Sequence, residues 1–271
     1  MKYYVKIILS YKMDGGNLMM PVLFVGHGSP MNAIESNKFT KGWQEIATSI
    51  PIPTAILSIS AHWLTDGTHV STVENPNTIH DFYGFPQTLF SVKYNAKGCP
   101  LLAQETIDLL GGIAVADNSW GLDHGTWSVL RVMYPNANIP VYQLSINTQA
   151  TPKELFEIGR KLKPLRERNV LILASGNVVH NLGVLDFSVN GGFDWANNFD
   201  DFIENKIKNR DFEDIFKYRE LGDIARYSVP TTDHFHPLFY ILGATESTDK
   251  ISVFNKSCMA GSLSMTSYMF T

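Results

Sequence analysis

The sequence predicts an α/β protein with a single-domain αβα sandwich around a largely parallel, mixed central sheet. The first observation is that short apolar runs, typical of buried strands, alternate with longer helical segments. The second is that three of these runs, Val22–Val25, Ala55–Ser60 and Val170–Ala174, are each followed closely by a histidine. The third is size: 271 residues, 44% of them hydrophobic, can bury a full core, and nothing marks a linker between domains.

Prolines, glycines and turn formers divide the rest of the chain into elements. Thr151–Glu154 opens a helix with an N-cap threonine, a proline in the first turn and an early glutamate, and this helix is predicted to continue to about Arg168. Asn75–Gln87 is rich in turn formers and aromatic residues, which favours a loop that forms a pocket wall. The other predicted helices are Lys41–Ser49, Leu101–Leu110, Thr126–Met133, Phe193–Lys208, Phe212–Leu221 and Pro237–Ala244, and the other predicted strands are Thr68–Val73, Ile113–Ala116, Val141–Ile146, Ile251–Phe254 and Ser262–Met269.

Residues 1–19 are expected to form an N-terminal extension or a loose leading strand. The apolar run Tyr3–Leu9 is too short to span a bilayer, and no small-residue cleavage site follows it. Met19 and Met20 precede Pro21 and the first core strand, which indicates a natural start at this point.

Charge and cysteine content restrict the possible partners and the compartment. The formal net charge is −4, with 22 basic and 26 acidic residues well mixed, which argues against nucleic acid or an anionic membrane as the main partner. The two cysteines, Cys99 and Cys258, have no CxxC spacing. We therefore expect a reduced, cytoplasmic protein, with a disulfide between them as the alternative.

Three histidines are predicted to meet at one edge of the sheet. His27 lies in Gly26–Pro30, where two glycines free the backbone and the proline stops further strand pairing. His62 follows the second apolar run, and His180 lies beyond the third. Because open α/β sheets bind their ligands at the carboxyl ends of the strands, this arrangement predicts a metal site.

Other residues are candidates for completing this site. In the loop before the last apolar helix, one of Asp233, His234 and His236 is a candidate further ligand. His124 precedes a helix and could donate a hydrogen bond to bound substrate, or could simply neighbour the helix N-cap. His180 could be a ligand, an acid/base one shell away from the metal, or a residue that caps a helix start.

The remaining histidines have weaker signals. His80 could line a pocket within the aromatic loop, and His69 has no predicted role.

Imidazole and carboxylate ligands without thiolate suit zinc or iron(II), and two or three protein ligands leave positions open for catalysis. Ser29 lies in Gly-His-Gly-Ser-Pro rather than Gly-x-Ser-x-Gly, so a serine hydrolase is rejected.

Seven motifs occur in order along the chain. They are GHGSPM (26–31), SAHW (60–63), TIHDFYGFP (78–86), GLDHGTW (121–127), QLSIN (143–147), ASGNVVHN (174–181) and the Asp233-His234 loop. Together these motifs resemble the class III extradiol ring-cleavage dioxygenases, most closely the 4,5-DOPA extradiol dioxygenase type. The resemblance covers almost the whole chain from Met20 onward.

The resemblance implies a catalytic domain over residues 20–271 with one mononuclear metal, iron(II) for activity and often zinc(II) in the purified protein. It implies that His27 and His62 are ligands of the metal. Better-known relatives add a glutamate, whereas the matching region here offers Asp233-His234, and His234 is the expected third ligand. His180 is expected to act as acid/base and lies near enough to be counted with the ligands, while His124 would steady the developing oxyanion or bound superoxide.

The expected reactants are a small catechol and O2, and the chain is expected to be a monomer or a small homo-oligomer. Two other enzyme classes use the same kind of histidines. A zinc hydrolase would use them to activate water. A tetrapyrrole metal chelatase would need only two of them and would leave GLDHG and ASGNVVH without a role. A non-catalytic metal-binding protein is the remaining alternative.

Overall fold

An eight-stranded mixed sheet forms the centre of the computed structural model, which describes residues 19–271. The predicted extension lies outside these residues apart from Met19. The ten strands are β1 (Val22–Gly26), β2 (Ala55–Thr65), β3 (Thr68–Ser71), β4 (Ala114–Asp117), β5 (Val141–Asn147), β6 (Val170–Gly176), β7 (Ile251–Phe254), β8 (Cys258–Met259), β9 (Leu263–Ser264) and β10 (Ser267–Phe270).

The strand order in the large sheet is β4-β3-β5-β2-β6-β1-β10-β7. The four central strands β5, β2, β6 and β1 are all parallel, whereas β10 and β7 pair antiparallel at one side. Strands β8 and β9 form a separate two-stranded ribbon. The predicted class, a largely parallel but mixed sheet flanked by helices, is confirmed.

Ten α-helices, among the residues that the structure describes, surround the sheet. None of them is long and apolar enough to cross a membrane. They are α1 (Lys38–Ser49), α2 (Gln87–Phe90), α3 (Pro100–Leu110), α4 (His124–Met133), α5 (Pro152–Leu162), α6 (Pro164–Glu167), α7 (Asp194–Asn209), α8 (Phe212–Phe216), α9 (Asp223–Ser228) and α10 (Pro237–Ala244).

Two hydrophobic cores lie on the opposite faces of the sheet, and this explains why the central strands are apolar at successive positions. Along β1, Val22 and Phe24 belong to the core that includes α5, α7 and α10. The alternate residues Leu23 and Val25 belong to the core that includes α1 and α4. Since successive side chains of a strand point to opposite faces, a strand covered on both faces has to be apolar throughout.

Several predicted boundaries are wrong, for identifiable reasons. The helix predicted from Thr151 to Arg168 is two helices, because Pro164 has no backbone N–H to continue the first one. The single strand predicted over Ser262–Met269 is β9 and β10, which pair with different partners, β8 and β1. The helix predicted over Phe212–Leu221 is α8 followed by a 3-10 turn, and α9 was not predicted.

Strand β2 is longer than predicted, and this changes the position of His62. The strand continues to Thr65, so that His62 lies inside it rather than beyond its end. The register of β2 against β5 shifts between Ile59 and Leu64, which marks an irregularity in the strand at His62. Bulges of this kind redirect side chains and are common next to functional sites.

The two cysteines, Cys99 and Cys258, are free, so the disulfide alternative is wrong.

Candidate metal centre

Three histidines from distant parts of the chain come together at the carboxyl edge of the central strands. One ring nitrogen from each of His27, His62 and His234 lies within 4.8 Å of the other two. The ring centroids of His27 and His62 are 5.2 Å apart, and each is 5.1 Å from that of His234. Three imidazole nitrogens at this spacing could hold one divalent cation and leave other coordination positions open.

The first ring, His27, is oriented by the neighbouring strand. It directly follows β1, is 1% exposed, and its Nδ1 lies 2.9 Å from Oγ of Ser175 on β6. Since the Ser175 hydroxyl donates its proton to the carbonyl of Gly125 at 2.6 Å, it accepts from His27 Nδ1–H. This leaves the lone pair of His27 on Nε2, which lies 3.3 Å from Nε2 of His62.

The other two rings are oriented by carboxylates. Oδ2 of Asp81 lies 3.2 Å from Nδ1 of His62, and Oδ2 of Asp233 lies 2.7 Å from Nδ1 of His234. Each carboxylate therefore favours the tautomer in which Nδ1 carries the proton and Nε2 is free. A histidine whose far nitrogen is held by a carboxylate or a hydroxyl is typical of metal ligands.

The protonation of the site also suits a metal. Burial first, and then the charges of neighbouring histidines, lower the pKa of His27 and of His62 well below the usual value. Neutral imidazole is the form that binds metals. The donor set therefore fits a divalent cation of the zinc or iron(II) kind, as the sequence predicted.

Asp81, to which the sequence analysis gave no role, contacts two histidines of the site. Its Oδ1 lies 3.0 Å from Nδ1 of His124 and accepts a hydrogen bond from the His124 backbone N–H at 3.0 Å. Burial would raise its pKa, but the hydrogen bond from His124 and the charges of His124 and His62 outweigh burial and lower the pKa to about 2. Asp81 is the sole acidic residue of the aromatic loop 75–87, and this was the signal available in the sequence.

His124 is the first residue of α4 rather than a residue before it, and its ring lies against His62 with the centroids 3.9 Å apart. The preceding residue, Asp123, is fully buried and caps α4 by accepting from the N–H of Thr126. Oδ1 of Asp123 also accepts from Ser60 at 2.6 Å, which ties the start of α4 to β2. His124 is thus a direct neighbour of the helix N-cap, which was one of the two possibilities that the sequence left open.

Gly125 allows this close approach of α4 to β2. A Cβ at this position would lie 2.9 Å from Cδ2 of His62 and 2.5 Å from Oγ of Ser60. Any larger residue would therefore displace the His62 ring or the start of the helix.

His180 lies beside the three-nitrogen cluster rather than within it. Its ring stacks on that of His234, with the centroids 3.4 Å apart and the planes 4° from parallel. Burial and the neighbouring His234 lower its pKa to about 3. Its backbone N–H donates to the carbonyl of Ser228 at 3.0 Å, which fixes the segment after β6.

The other histidines lie outside this cluster. His80 donates from Nε2 to the carbonyl of Val92 at 2.9 Å and packs among aromatic rings, while His69 pairs with Asp117 on β3 and β4 at 2.8 Å. His236 is buried and is not one of the three clustered residues, so His234 is the member of its loop that joins them.

Comparisons with known proteins identify the family of the chain. A family model described as the catalytic LigB subunit of aromatic ring-opening dioxygenase matches residues 21–271. A protein of Escherichia coli K12 named 4,5-DOPA dioxygenase extradiol is 42% identical over 254 residues, covering 92% of this chain and 93% of its own. The protein of the same name from Beta vulgaris is 38% identical, covering 92% of this chain and 95% of its own. The crystal structure of an uncharacterized protein from Escherichia coli K12 superposes with a TM-score of 0.81 at 38% identity, over 93% of this chain and all of that one.

Proposed function

The chain belongs to the family of the catalytic LigB subunit of aromatic ring-opening dioxygenases, and on this premise we propose that it cleaves a small DOPA-like catechol with O2 at a mononuclear metal. The observation that carries the proposal is the convergence of His27, His62 and His234, each with its Nδ1 held by an oxygen atom and its Nε2 left free. Residues 20–271 would form the catalytic domain. A ring-opening dioxygenase is favoured over the zinc hydrolase and the tetrapyrrole chelatase.

We assign His27, His62 and His234 as the ligands of one divalent ion, iron(II) for activity, with zinc(II) as the form that purified protein can retain. When bound, the ion would supply open positions for the two catechol oxygens and O2 and a route for electron transfer between them. Asp233 orients His234 through their 2.7 Å contact. This leaves the carboxylate outside the ligand set, in contrast to a two-histidine, one-carboxylate site.

His180 is the proposed acid/base of the reaction. Its ring stacks on that of the proposed ligand His234 and is neutral at physiological pH, so a free ring nitrogen of His180 would be placed to take the proton that a catechol hydroxyl loses on binding. The same proton is available for return when the O–O bond is broken. Both oxygen atoms of O2 end in the ring-opened product, and no external reductant is required.

His124 and the aromatic loop are proposed to surround the substrate. His124 lies against the ligand His62 and would hydrogen-bond to the oxygen that gains negative charge during the reaction. Phe82 packs edge-on against His124, with the ring centroids 5.5 Å apart, and also contacts Phe85 and Trp127. Phe82 and Phe85 are partly exposed and would form an apolar wall that suits a flat aromatic substrate, with the buried Trp127 behind Phe82.

The test is aerobic turnover of a panel of catechols after anaerobic loading of the metal-free protein with iron(II). Oxygen consumption and the absorbance of a ring-opened product are expected, with none for His27→Gln. His69→Gln is the matched control, because His69 is paired with Asp117 away from the cluster. Failure of the iron-loaded protein to consume O2 with any catechol would contradict the proposal. Ester hydrolysis by the zinc form would support the zinc hydrolase alternative instead.

A further inference from the structure

We propose that Asp81 is a positioning residue that orients two histidines of the site with one carboxylate, so that metal affinity and turnover both depend on it. This inference rests on the proposed function of the same site. It adds a residue from the aromatic loop 75–87 to a site that the sequence motifs attribute to histidines alone.

The geometry assigns one carboxylate oxygen to each ring. Oδ2 of Asp81 lies 3.2 Å from Nδ1 of the proposed ligand His62, and Oδ1 lies 3.0 Å from Nδ1 of His124. Among the histidine–carboxylate pairs of residues 19–271, Asp81 is the one carboxylate that takes two histidines. The side chain of Asp81 is 18% exposed, although the residue as a whole is exposed at its backbone.

The chemistry of a carboxylate explains why an aspartate is needed. An ionised carboxylate is negative at both oxygens, so through its charge it favours a proton on Nδ1 of both rings and leaves both Nε2 atoms to the site, although the contact with His124 Nδ1 is not aligned as a hydrogen bond. An asparagine has one acceptor and one donor. Its amide nitrogen would face the Nδ1–H of one histidine, and that ring would have to rotate or change tautomer.

Asp81 also connects these rings to the aromatic side chains of the loop 75–87. The next residue, Phe82, contacts the ring of His124. The backbone N–H of His124 donates to the same Oδ1 of Asp81 at 3.0 Å, which fixes the loop against the first turn of α4. The position of the aromatic loop and the orientation of the two histidines are therefore set by the same side chain.

The first experiment measures metal affinity and needs no turnover. Metal-free wild type, Asp81→Asn and Asp81→Ala are titrated with Zn²⁺ in competition with a chromophoric chelator, and bound Co²⁺ is followed by its visible absorption. Loss of a residue that orients a ligand typically weakens metal binding 10–100-fold, and we expect this for both variants, with an altered Co²⁺ spectrum. Asp81→Glu, which keeps two acceptor oxygens, is expected to recover part of the affinity.

The second experiment measures kcat and KM at saturating iron(II). Because His124 loses its partner as well, Asp81→Asn is expected to remain slower by a further 10–100-fold in kcat even when the metal site is full. Asp117→Asn is the matched control, since Asp117 pairs with His69 at 2.8 Å away from the site. This control is expected to keep both wild-type values, and thermal melts establish that each variant is folded.

Three outcomes would overturn the inference. The first is a folded Asp81→Asn variant whose metal affinity and kcat are both within twofold of wild type. The second is a loss of metal affinity without a loss of kcat, or the reverse. The third is a wild type that binds two Zn²⁺ ions and an Asp81→Ala variant that binds one. The last would make Asp81 a ligand of a second ion, together with His62 and His124. A wild type that binds Zn²⁺ but cleaves no catechol would contradict the proposed function, and the Zn²⁺ titration of Asp81→Asn would then separately test whether Asp81 orients the ligand His62.

Discussion

Replacement of Ser175 by alanine tests whether the partner of His27 prepares that ring for a metal. The Ser175 hydroxyl is fully buried, accepts from His27 Nδ1–H at 2.9 Å and donates to the Gly125 carbonyl at 2.6 Å. Ser175→Ala leaves the Nδ1–H of His27 without its acceptor, whereas the Gly125 carbonyl, in the first turn of α4, keeps its helical hydrogen bond. At about 1–3 kcal/mol for one unpaired buried group, the free energy of unfolding of the metal-free protein should fall by roughly that amount.

The effect on metal binding is predicted separately. Without Ser175, His27 can rotate or move its proton to Nε2, and affinity for Zn²⁺ should fall about 10–100-fold, equivalent to about 1.4–2.7 kcal/mol. Denaturant unfolding measures the first quantity, and Zn²⁺ competition titration measures the second.

Ser58→Ala is the matched control. Ser58 is equally buried, lies on β2, and shares a 2.8 Å hydrogen bond with Thr126 on α4, but it contacts no histidine. It should lower the free energy of unfolding by about 1–3 kcal/mol, because one group is left unpaired, with little change in Zn²⁺ affinity. If Ser175→Ala and Ser58→Ala bound Zn²⁺ equally well, the hydrogen bond to His27 would have no part in metal binding and the reasoning would be refuted.

Three further predictions concern the histidines themselves. His27→Ala should abolish metal retention, measured by elemental analysis after gel filtration, since one of three ligands is lost; full occupancy would remove His27 from the ligand set. Asp233→Asn should keep most of the bound metal, whereas His234→Ala should not, and the opposite ranking would assign the carboxylate as the ligand. His180→Gln should cut turnover by about 10²–10⁴-fold with the metal retained, as single-turnover kinetics and metal analysis would establish; an empty site would show that His180 acts as a ligand.

The strands were predictable because their signal is local. A buried parallel strand between two helical layers has to be apolar on both faces, and this is visible in Val22–Val25 and Val170–Ala174. The edge at which their histidines meet follows from the rule that parallel strands end on the same side. The points at which a helix splits in two were harder to predict. Whether a helix continues past a proline such as Pro164 depends on what the next segment packs against.

Asp233 is adjacent to its partner His234 in the sequence, but the partner of His27 could not be predicted because it comes from a remote part of the chain. Ser175 is 148 residues from His27, and no local pattern relates the two. The position of His62 inside β2 depends on a register shift against β5, which only strand pairing reveals. The stacking of His180 on His234 likewise follows from the packing of the segment after β6 against the loop before α10.

The way these rings are held has a consequence for stability. His27 follows β1, His62 lies in β2 and His234 precedes α10, and three separate oxygen donors or acceptors fix their far nitrogens. Each ring is thus oriented independently before an ion binds, which lowers the conformational entropy lost on binding. An ion held by all three rings would in turn connect three segments that are far apart in the sequence, so that its binding free energy would add to the stability of the sheet edge. The same atoms that prepare the site for chemistry would then also hold this end of the molecule together.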